Sequence, residues 1–148
     1  MLDLLAIKTI DALDRRNFSL TRSYFTADAV VSGGLLPDCT PISAALKVMN
    51  ALFAAIPNFW FEIQDIAVWR NEVTVEFDWG GRHERPLKLG MLGLPIIQPT
   101  NKTIRVNQVA VFTGYHDKLC AVQMTSRTAH NLPALFAQLN TSAYANVG

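Results

Sequence analysis

The sequence predicts one α+β domain in which helices cover one face of a curved antiparallel sheet. Apolar residues recur at about 3.6-residue spacing up to Pro57 and at alternate positions from Trp60 onward. Helices followed by a run of strands, rather than helices alternating with strands, are typical of the α+β class. Because 50% of the 148 residues are hydrophobic and only 17% are charged, the chain can build a substantial core without a metal or a disulfide.

Three helices are predicted before Pro57. The first has an apolar stripe formed by Leu2, Ala6, Ile10 and Leu13. Asp11 and Arg15 lie one turn apart on its polar side, where they can pair. Ser19 is positioned to cap a short second helix, and a brief strand follows at 29–31. Thr40-Pro41 begins the third helix, because a hydroxyl cap followed by proline is typical of a helix start.

Four long strands are predicted after the third helix. Residues 60–69 are rich in aromatic and β-branched side chains. The next strand has one dry face, formed by Val73, Val75, Phe77 and Trp79, and one wet face. Gly80-Gly81 favours a bulge or a bend in that strand. Residues 103–113 and 119–127 predict two more strands, and 132–139 predict a short last helix.

Residues 85–100 predict a long loop that combines prolines and glycines with many leucines and isoleucines. Loops normally face water, so a loop this apolar needs another explanation. Two interpretations are open: a loop packed into the core, or a lid over an apolar cavity.

Composition excludes several classes of function. The net charge is +1 and the basic residues are scattered, so a nucleic-acid surface is not expected. No apolar run approaches the ~20 residues of a membrane span, and no export signal is recognisable. We therefore expect a cytoplasmic protein with reduced Cys39 and Cys120. Metal-ligand spacings and phosphate-binding loops are not found, so no metal and no cofactor are expected. One domain spans 1–148, with 1–140 ordered and 141–148 as a tail.

Four strings, in order along nearly the whole chain, resemble one known family. They are Ala55-Ile56-Pro57-Asn58-Phe59, the segment from Gly81 to Leu87, the segment from Gly93 to Lys102, and Asp117-Lys118-Leu119. Together they are similar to the SnoaL-like polyketide-cyclase branch of the nuclear transport factor 2-like superfamily. Arg85 and Asn101 stand where the family usually has glycine.

This resemblance implies a cone-shaped α+β barrel with an apolar pocket and a homodimer formed through the sheet. Some members close rings or isomerise ketones by acid–base chemistry, and many only bind. The cyclases carry an aspartate near the end of the last strand. Here residues 118–148 contain no Asp or Glu, and Thr128 or Asn131 stands at that position.

Two titratable residues are the candidates for catalysis. His83 follows the dry face of the strand that contains Trp79, so it is expected to face the pocket as a base or a donor. The alternative is a structural histidine. Asp65 faces inward if Phe61 and Ile63 do, although it can also mark the point where the strand meets water.

The candidate ligand-binding residues are the large apolar and amide side chains expected near the pocket. One of Asn107 and Gln108 must face inward, where an amide can anchor a ligand oxygen. The full set is Tyr24, Trp60, Trp79, Met91, Asn107, Gln123 and Arg127. The aromatic members also fit a plain core role.

Three hypotheses for function follow. The first is a cyclase or isomerase that acts on an apolar polycyclic or terpenoid-like ketone. The alternative is a non-catalytic protein that binds a small apolar molecule. The third is a dimerisation module whose cavity is filled by its own side chains, so that a structure would show no void.

Overall fold

The computed structural model describes residues 1–34 and 36–125. The predicted last helix, the predicted tail and Arg127 lie outside the described residues. The helices are α1 (Leu2–Asp14), α2 (Phe18–Ser23) and α3 (Ile42–Ala55), and the strands are β1 (Phe25–Gly33), β2 (Leu36–Pro41), β3 (Trp60–Trp69), β4 (Glu72–Arg82), β5 (Thr103–Tyr115) and β6 (Lys118–Thr125).

The three predicted helices are present, but two of their caps differ from expectation. Asn17, not Ser19, caps α2 by accepting a hydrogen bond from the backbone of Leu20. Pro41 is the N-cap of α3, and the Thr40 hydroxyl instead donates to the carbonyl of Pro37. The predicted ion pair on α1 is confirmed, with 3.1 Å between Arg15 Nε and Asp11 Oδ2. None of the described helices is long and apolar enough to cross a membrane.

The strands form one six-stranded sheet in the order β2-β1-β6-β5-β4-β3. All neighbouring pairs are antiparallel except β1 and β6, which run parallel. Because β2 and β3 have no further neighbours among the described residues, the sheet formed by this part of the chain is open rather than closed. The α+β fold with helices before a curved sheet is therefore confirmed, but the sheet is mixed rather than wholly antiparallel.

The sequence did not predict β2. Its six residues include Pro37 and Pro41, and proline removes a hydrogen-bond donor from a strand. An edge strand tolerates this loss because one side has no partner to bond, and β2 lies at the edge of the sheet.

The inner face of β4 is the predicted dry face. Val73, Val75, Phe77 and Trp79 are all buried and contribute to one continuous core with the helices. The ladder between β4 and β5 runs through Gly80 and Gly81 without a register shift, so of the predicted bulge or bend the bulge is wrong. Gly81 is needed for another reason: its φ is +149°, and a Cβ there would collide with the Ile56 side chain.

The loop from 83 to 102 is packed into the core. Leu87, Leu89 and Ile97 are at most 2% exposed, and Leu87 pairs with Ile97 in an isolated antiparallel bridge. The backbone amides of Glu84 and Arg85 both donate to the carbonyl of Ala55. Of the two interpretations of this apolar loop, the packed one is confirmed.

Candidate functional site

A cavity of about 140 Å³ lies between the helices and the inner face of the sheet. All three helices and every strand from β1 to β6 contribute to its wall. The described lining residues are Thr9, Ile10, Leu13, Thr21, Phe25, Val31, Gly33, Gly34, Leu36, Ile42, Ala45, Leu46, Val48, Met49, Leu52, Phe59, Phe61, Phe77, Trp79, Gln108, Ala110, Phe112, Val122 and Met124. The void argues against the hypothesis of a cavity filled by its own side chains.

Four aromatic rings form one side of this cavity. Phe59 and Trp79 stack with their centroids 5.2 Å apart and their planes 8° apart. Phe61 lies 5.0 Å from Phe59 and 6.1 Å from Phe77. Because these rings come from β3, β4 and the segment before β3, their packing joins the strands and shapes the wall together.

Gln108 is the main polar group in the cavity wall. The indole nitrogen of Trp79 donates to Gln108 Oε1 at 2.9 Å. An indole N–H is only a donor, so this bond fixes which end of the amide is the oxygen. The other end of the amide, Nε2, carries two N–H donors that can serve a ligand oxygen in the cavity.

Two threonine hydroxyls are the other polar side chains of the described lining. Thr9 Oγ1 donates to the carbonyl of Leu5 at 2.8 Å, and Thr21 Oγ1 donates to the carbonyl of Asn17 at 2.9 Å. Both protons are therefore used within the helices. The described lining contains no Asp, Glu, His, Lys or Arg, so these residues supply hydrogen bonding but no proton transfer at neutral pH.

His83 does not line the cavity. The chain leaves β4 at Arg82, and the buried imidazole lies at the junction of the packed loop. Its Nδ1 is 3.2 Å from the amide of Thr100, which donates to it, and 3.0 Å from Thr100 Oγ1. The His83 backbone pairs with Lys102 and Asn101. The expectation of a pocket-facing His83 is therefore corrected, because the loop folds over it.

The His83 ring is held in its neutral form. Burial lowers the pKa of His83 below its ordinary value, and the backbone carbonyl of Arg85 opposes this in smaller measure. Nδ1 accepts the Thr100 amide, so the neutral ring carries its proton on Nε2. Within the described residues Nε2 is buried without a hydrogen bond of good geometry. This environment is that of a structural histidine.

Asp65 lies on the outer face of the sheet, so of the two positions left open for it the inward one is corrected and the water-facing one is observed. In the antiparallel ladder Ile63 pairs with Phe77, and Asp65 pairs with the neighbouring residue Glu76. Gln64 is therefore skipped, and the register shifts there. A residue inserted into a strand reverses the direction of the side chains after it. Asp65 is consequently exposed and Ile66 points inward.

The amides of Asn107 and Gln123 also lie on the outer face. Asn107 pairs with Asp78 across β4 and β5, and Nδ2 of Asn107 donates to the Asp78 carboxylate at 2.9 Å. Gln123 is exposed. Of the alternatives Asn107 and Gln108, the inward residue is Gln108. It lies two residues from each of the buried residues Val106 and Ala110, so strand alternation places it on the same face as they are.

The other predicted ligand-binding residues divide between the wall and the surface. Trp79 lines the cavity. Tyr24 is half-buried against the core but is not part of the described lining. Trp60 is half-buried on the outer face, with the Arg105 guanidinium 5.2 Å from its ring centroid, and Met91 is 55% exposed. The expectation that Tyr24, Trp60 and Met91 line the cavity is therefore corrected.

The outer face has a charged cluster centred on Asp78. Arg105 Nε donates to the Asp78 carboxylate at 3.0 Å, and Asn107 bonds both Asp78 and Glu76. The hydrogen bond from Asn107 is the largest influence on the pKa of Asp78 and lowers it; burial opposes this, and Arg105 lowers the pKa further. No group of three metal-ligating side chains occurs among the described residues, so this cluster is an ion-pair network.

Comparison with known proteins places this geometry in context. A family model described as a SnoaL-like domain matches residues 6–122. No curated protein matches the chain. The chain is similar to AclR, a proposed hydroxylase from Streptomyces galilaeus, at 18% identity and a TM-score of 0.73, over 94% of this chain and 95% of that one.

Two further solved structures are similar in fold. A proposed SnoaL-like polyketide cyclase from Jannaschia sp. CCS1 has 16% identity and a TM-score of 0.70, over 93% of this chain and 94% of that one. IdmH, a proposed polyketide cyclase from Streptomyces antibioticus, has 18% identity and a TM-score of 0.69, over 95% and 99%. At these identities the likeness concerns the fold.

Proposed function

Because this chain belongs to the SnoaL-like domain family, a branch of the nuclear transport factor 2-like superfamily, we propose that its cavity binds a small apolar molecule with one acceptor oxygen and does not convert it. The observation that carries this proposal is the cavity wall itself. Its described residues are apolar apart from two threonines and Gln108. A single amide donor in an apolar wall suits a ketone or an ether.

The size of the cavity sets the class of ligand. An apolar cavity of roughly 150 Å³ accepts benzene, whereas pockets for drug-sized ligands span about 300–1,000 Å³. The cavity here is about 140 Å³. It suits a molecule with one six-membered ring, and a polycyclic ketone would need the helices to move away from the sheet.

A cyclase or isomerase is the second candidate, and the names of the Jannaschia and IdmH structures favour it. Against it, neither His83 nor Asp65 lies in the described lining, and residues 118–148 contain no carboxylate side chain. General acid–base catalysis requires a titratable group within hydrogen-bond reach of the reacting proton. The described lining contains no such group, and this supports binding without turnover.

The proposal is tested with cyclohexanone and its isostere methylenecyclohexane, which replaces the oxygen by a CH₂ group. Calorimetry of the intact chain should show tighter binding of the ketone. Gln108→Leu should reduce that preference by about two- to tenfold, because one hydrogen bond is worth about 0.5–1.5 kcal/mol. At a hundred times Kd the ketone should stabilise the protein by about 2.7 kcal/mol.

Three outcomes would contradict the proposal. Failure of both ring compounds to bind would remove the cavity as a ligand site. An unchanged ketone preference in Gln108→Leu would remove the amide anchor. Chemical conversion of the bound ketone, detected by mass spectrometry, would favour the enzyme. Asn107→Leu is the control, since Asn107 lies on the outer face.

A homodimer through the sheet and a cytoplasmic location are further proposals. Val109 and Val111 are half-buried in the single chain and lie on the outer face of β5, which supports a partner there. Analytical ultracentrifugation should show a dimer for the wild type and a monomer for Val111→Lys, with unchanged circular dichroism. A monomeric wild type would contradict the dimer.

A further inference from the structure

A second concavity, of about 730 Å³, lies on the surface between α3 and the loop after β4. Leu46 contributes to both this groove and the internal cavity. Its other described lining residues are not part of the cavity wall, so the groove is a separate place on the molecule. We call it the α3 groove.

The α3 side of the groove is shallow because its side chains are small or extended. Ser43, Lys47, Asn50, Ala51 and Ala54 lie at helical spacing along one face of α3. Ala51 and Ala54 leave a trough that a larger apolar residue would fill. Phe18 and Leu46 add apolar surface to its floor.

The loop side of the groove is held in place by buried anchors. Pro86 and Lys88 are exposed and alternate with Leu87 and Leu89, which are at most 1% exposed. The amide of Arg85 bonds the carbonyl of Ala55, at the end of α3. The backbone that carries Arg85 and Lys88 is therefore tied to the helix that carries Lys47.

The charges along the groove all have one sign. Lys47, Arg85 and Lys88 line it, and its described lining contains no acidic residue. Within the described part of the chain, none of these three cations belongs to an ion pair. Three cations on tethered elements around one concavity attract and hold an anion.

From this combination we infer that the α3 groove binds an amphipathic organic anion. Its phosphate or carboxylate contacts Lys47, Arg85 and Lys88, and its apolar body lies on Phe18, Leu46 and Met91. Met91 is 55% exposed although it is large and apolar, and such a ligand would cover it. The chain's own residues 118–148 contain no acidic side chain, so they do not supply the complementary charge.

The inference is tested by calorimetry with octyl phosphate, octanol and inorganic phosphate. Octyl phosphate should bind more tightly than either of the others, because only it has both the charge and the chain. The double variant Lys47→Gln/Lys88→Gln should weaken its binding by about tenfold. Lys8→Gln/Lys118→Gln removes the same charge from α1 and β6 and should leave the affinity unchanged.

A variant of the floor separates the two parts of the ligand. Ala54→Trp should weaken binding of octyl phosphate and leave that of inorganic phosphate unchanged. If both lysine double variants lost the same affinity for octyl phosphate, the effect would come from net charge alone, and the inference would be overturned. Failure of octyl phosphate to bind the intact chain would also overturn the inference. Equal affinities for octyl phosphate and inorganic phosphate would overturn it as well.

A variant of the internal cavity separates the two proposed sites. Because Gln108 lines the cavity and not the groove, Gln108→Leu should bind octyl phosphate like the wild type.

Discussion

The two faces of strands β3, β4 and β5 accommodate polar groups in opposite ways. On the inner face, Trp79 and Gln108 form one neutral hydrogen bond within an apolar wall. On the outer face, Asp78 directly precedes Trp79 and is bonded by Arg105 and by Asn107, which directly precedes Gln108. The side chain of Asp78 is only 12% exposed, so both faces bury a polar group.

The difference between the faces lies in charge and in access to water. A buried charge requires an opposite charge and several hydrogen bonds, whereas an amide requires only complementary hydrogen bonds. The Arg105 side chain is 59% exposed, so the outer cluster is in contact with water. The inner pair is instead enclosed by aromatic rings. The proposed ligand site of the cavity therefore lies on the inner face, and the outer cluster stabilises the sheet.

The largest effect is expected from Trp79→Ala on the inner face. This change removes the ring that stacks on Phe59 and the donor to Gln108. Truncation of a buried tryptophan costs about 3–5 kcal/mol, measurable as a loss in the free energy of unfolding by urea titration. Trp69→Ala is the control: Trp69 is 70% exposed, so its loss should stay within about 0.5 kcal/mol. Similar losses in both variants would contradict the assignment of faces.

A smaller effect is expected from Asp78→Asn on the outer face. Hydrogen bonds to a charged group contribute about 1.5–3 kcal/mol, and the exposure of Arg105 reduces its share, so a loss of about 1–2 kcal/mol should appear in urea titrations. Glu72→Gln, an exposed change on the same strand, is the control.

The effect of Asp78→Asn should also depend on pH. The pKa of Asp78 is lowered in the folded state, so its contribution to stability is fully present above the ordinary aspartate pKa of about 3.9 and is lost as pH falls through the lowered folded value. The difference between wild type and variant should therefore shrink below about pH 4. A difference independent of pH would argue against the carboxylate as its source.

Most of the fold was predictable from the sequence because it follows from local periodicity. The boundaries of β3 were predicted as 60–69 and are Trp60–Trp69, since aromatic and β-branched residues end there at the Arg70-Asn71 turn. The strand β2 was missed because its prolines favour a turn in sequence and are tolerated only at an edge. Its edge position is a property of the whole sheet.

The candidate site was less predictable, because side-chain direction depends on register over a long distance. Trp79 was placed correctly on the dry face by simple alternation. Asp65 was left open between an inward and a water-facing position, and the register shift at Gln64 turns it outward. No residue type in β3 signals that shift. His83 was misplaced because alternation was extended past Arg82, where the strand ends. Pairing with distant partners decided the positions of Asp65 and His83.

A second dependence of stability on pH is expected from His83. Here the folded protein favours the neutral form of the side chain, whereas for Asp78 it favours the charged form. Burial lowers the pKa of His83, so the unfolded chain takes up a proton near the ordinary value of about 6.5 while the folded protein stays neutral. Stability is then fully present above that pH and declines as pH falls below it. Urea titrations between pH 7.5 and 5 should show this decline.

The matched control for this decline is His83→Asn, whose side-chain oxygen can accept the Thr100 amide but does not titrate. The slope of stability against pH should be smaller in the variant than in the wild type. An identical slope in both proteins would mean that His83 is not the source.

The smallest effect is expected from Asp65→Asn, and it is the sharpest test of register. The shift at Gln64 places Asp65 on the outer face beside Glu76, where it is exposed. Replacing an exposed carboxylate with an amide should change the free energy of unfolding by less than about 0.5 kcal/mol and leave cyclohexanone binding unchanged. If the register continued without the shift, Asp65 would be an unpaired charge in the apolar face, and its removal would stabilise the protein by more than 1 kcal/mol. A clear stabilisation in urea titrations, or a change in ketone affinity, would therefore overturn the register on which the division of the two faces rests.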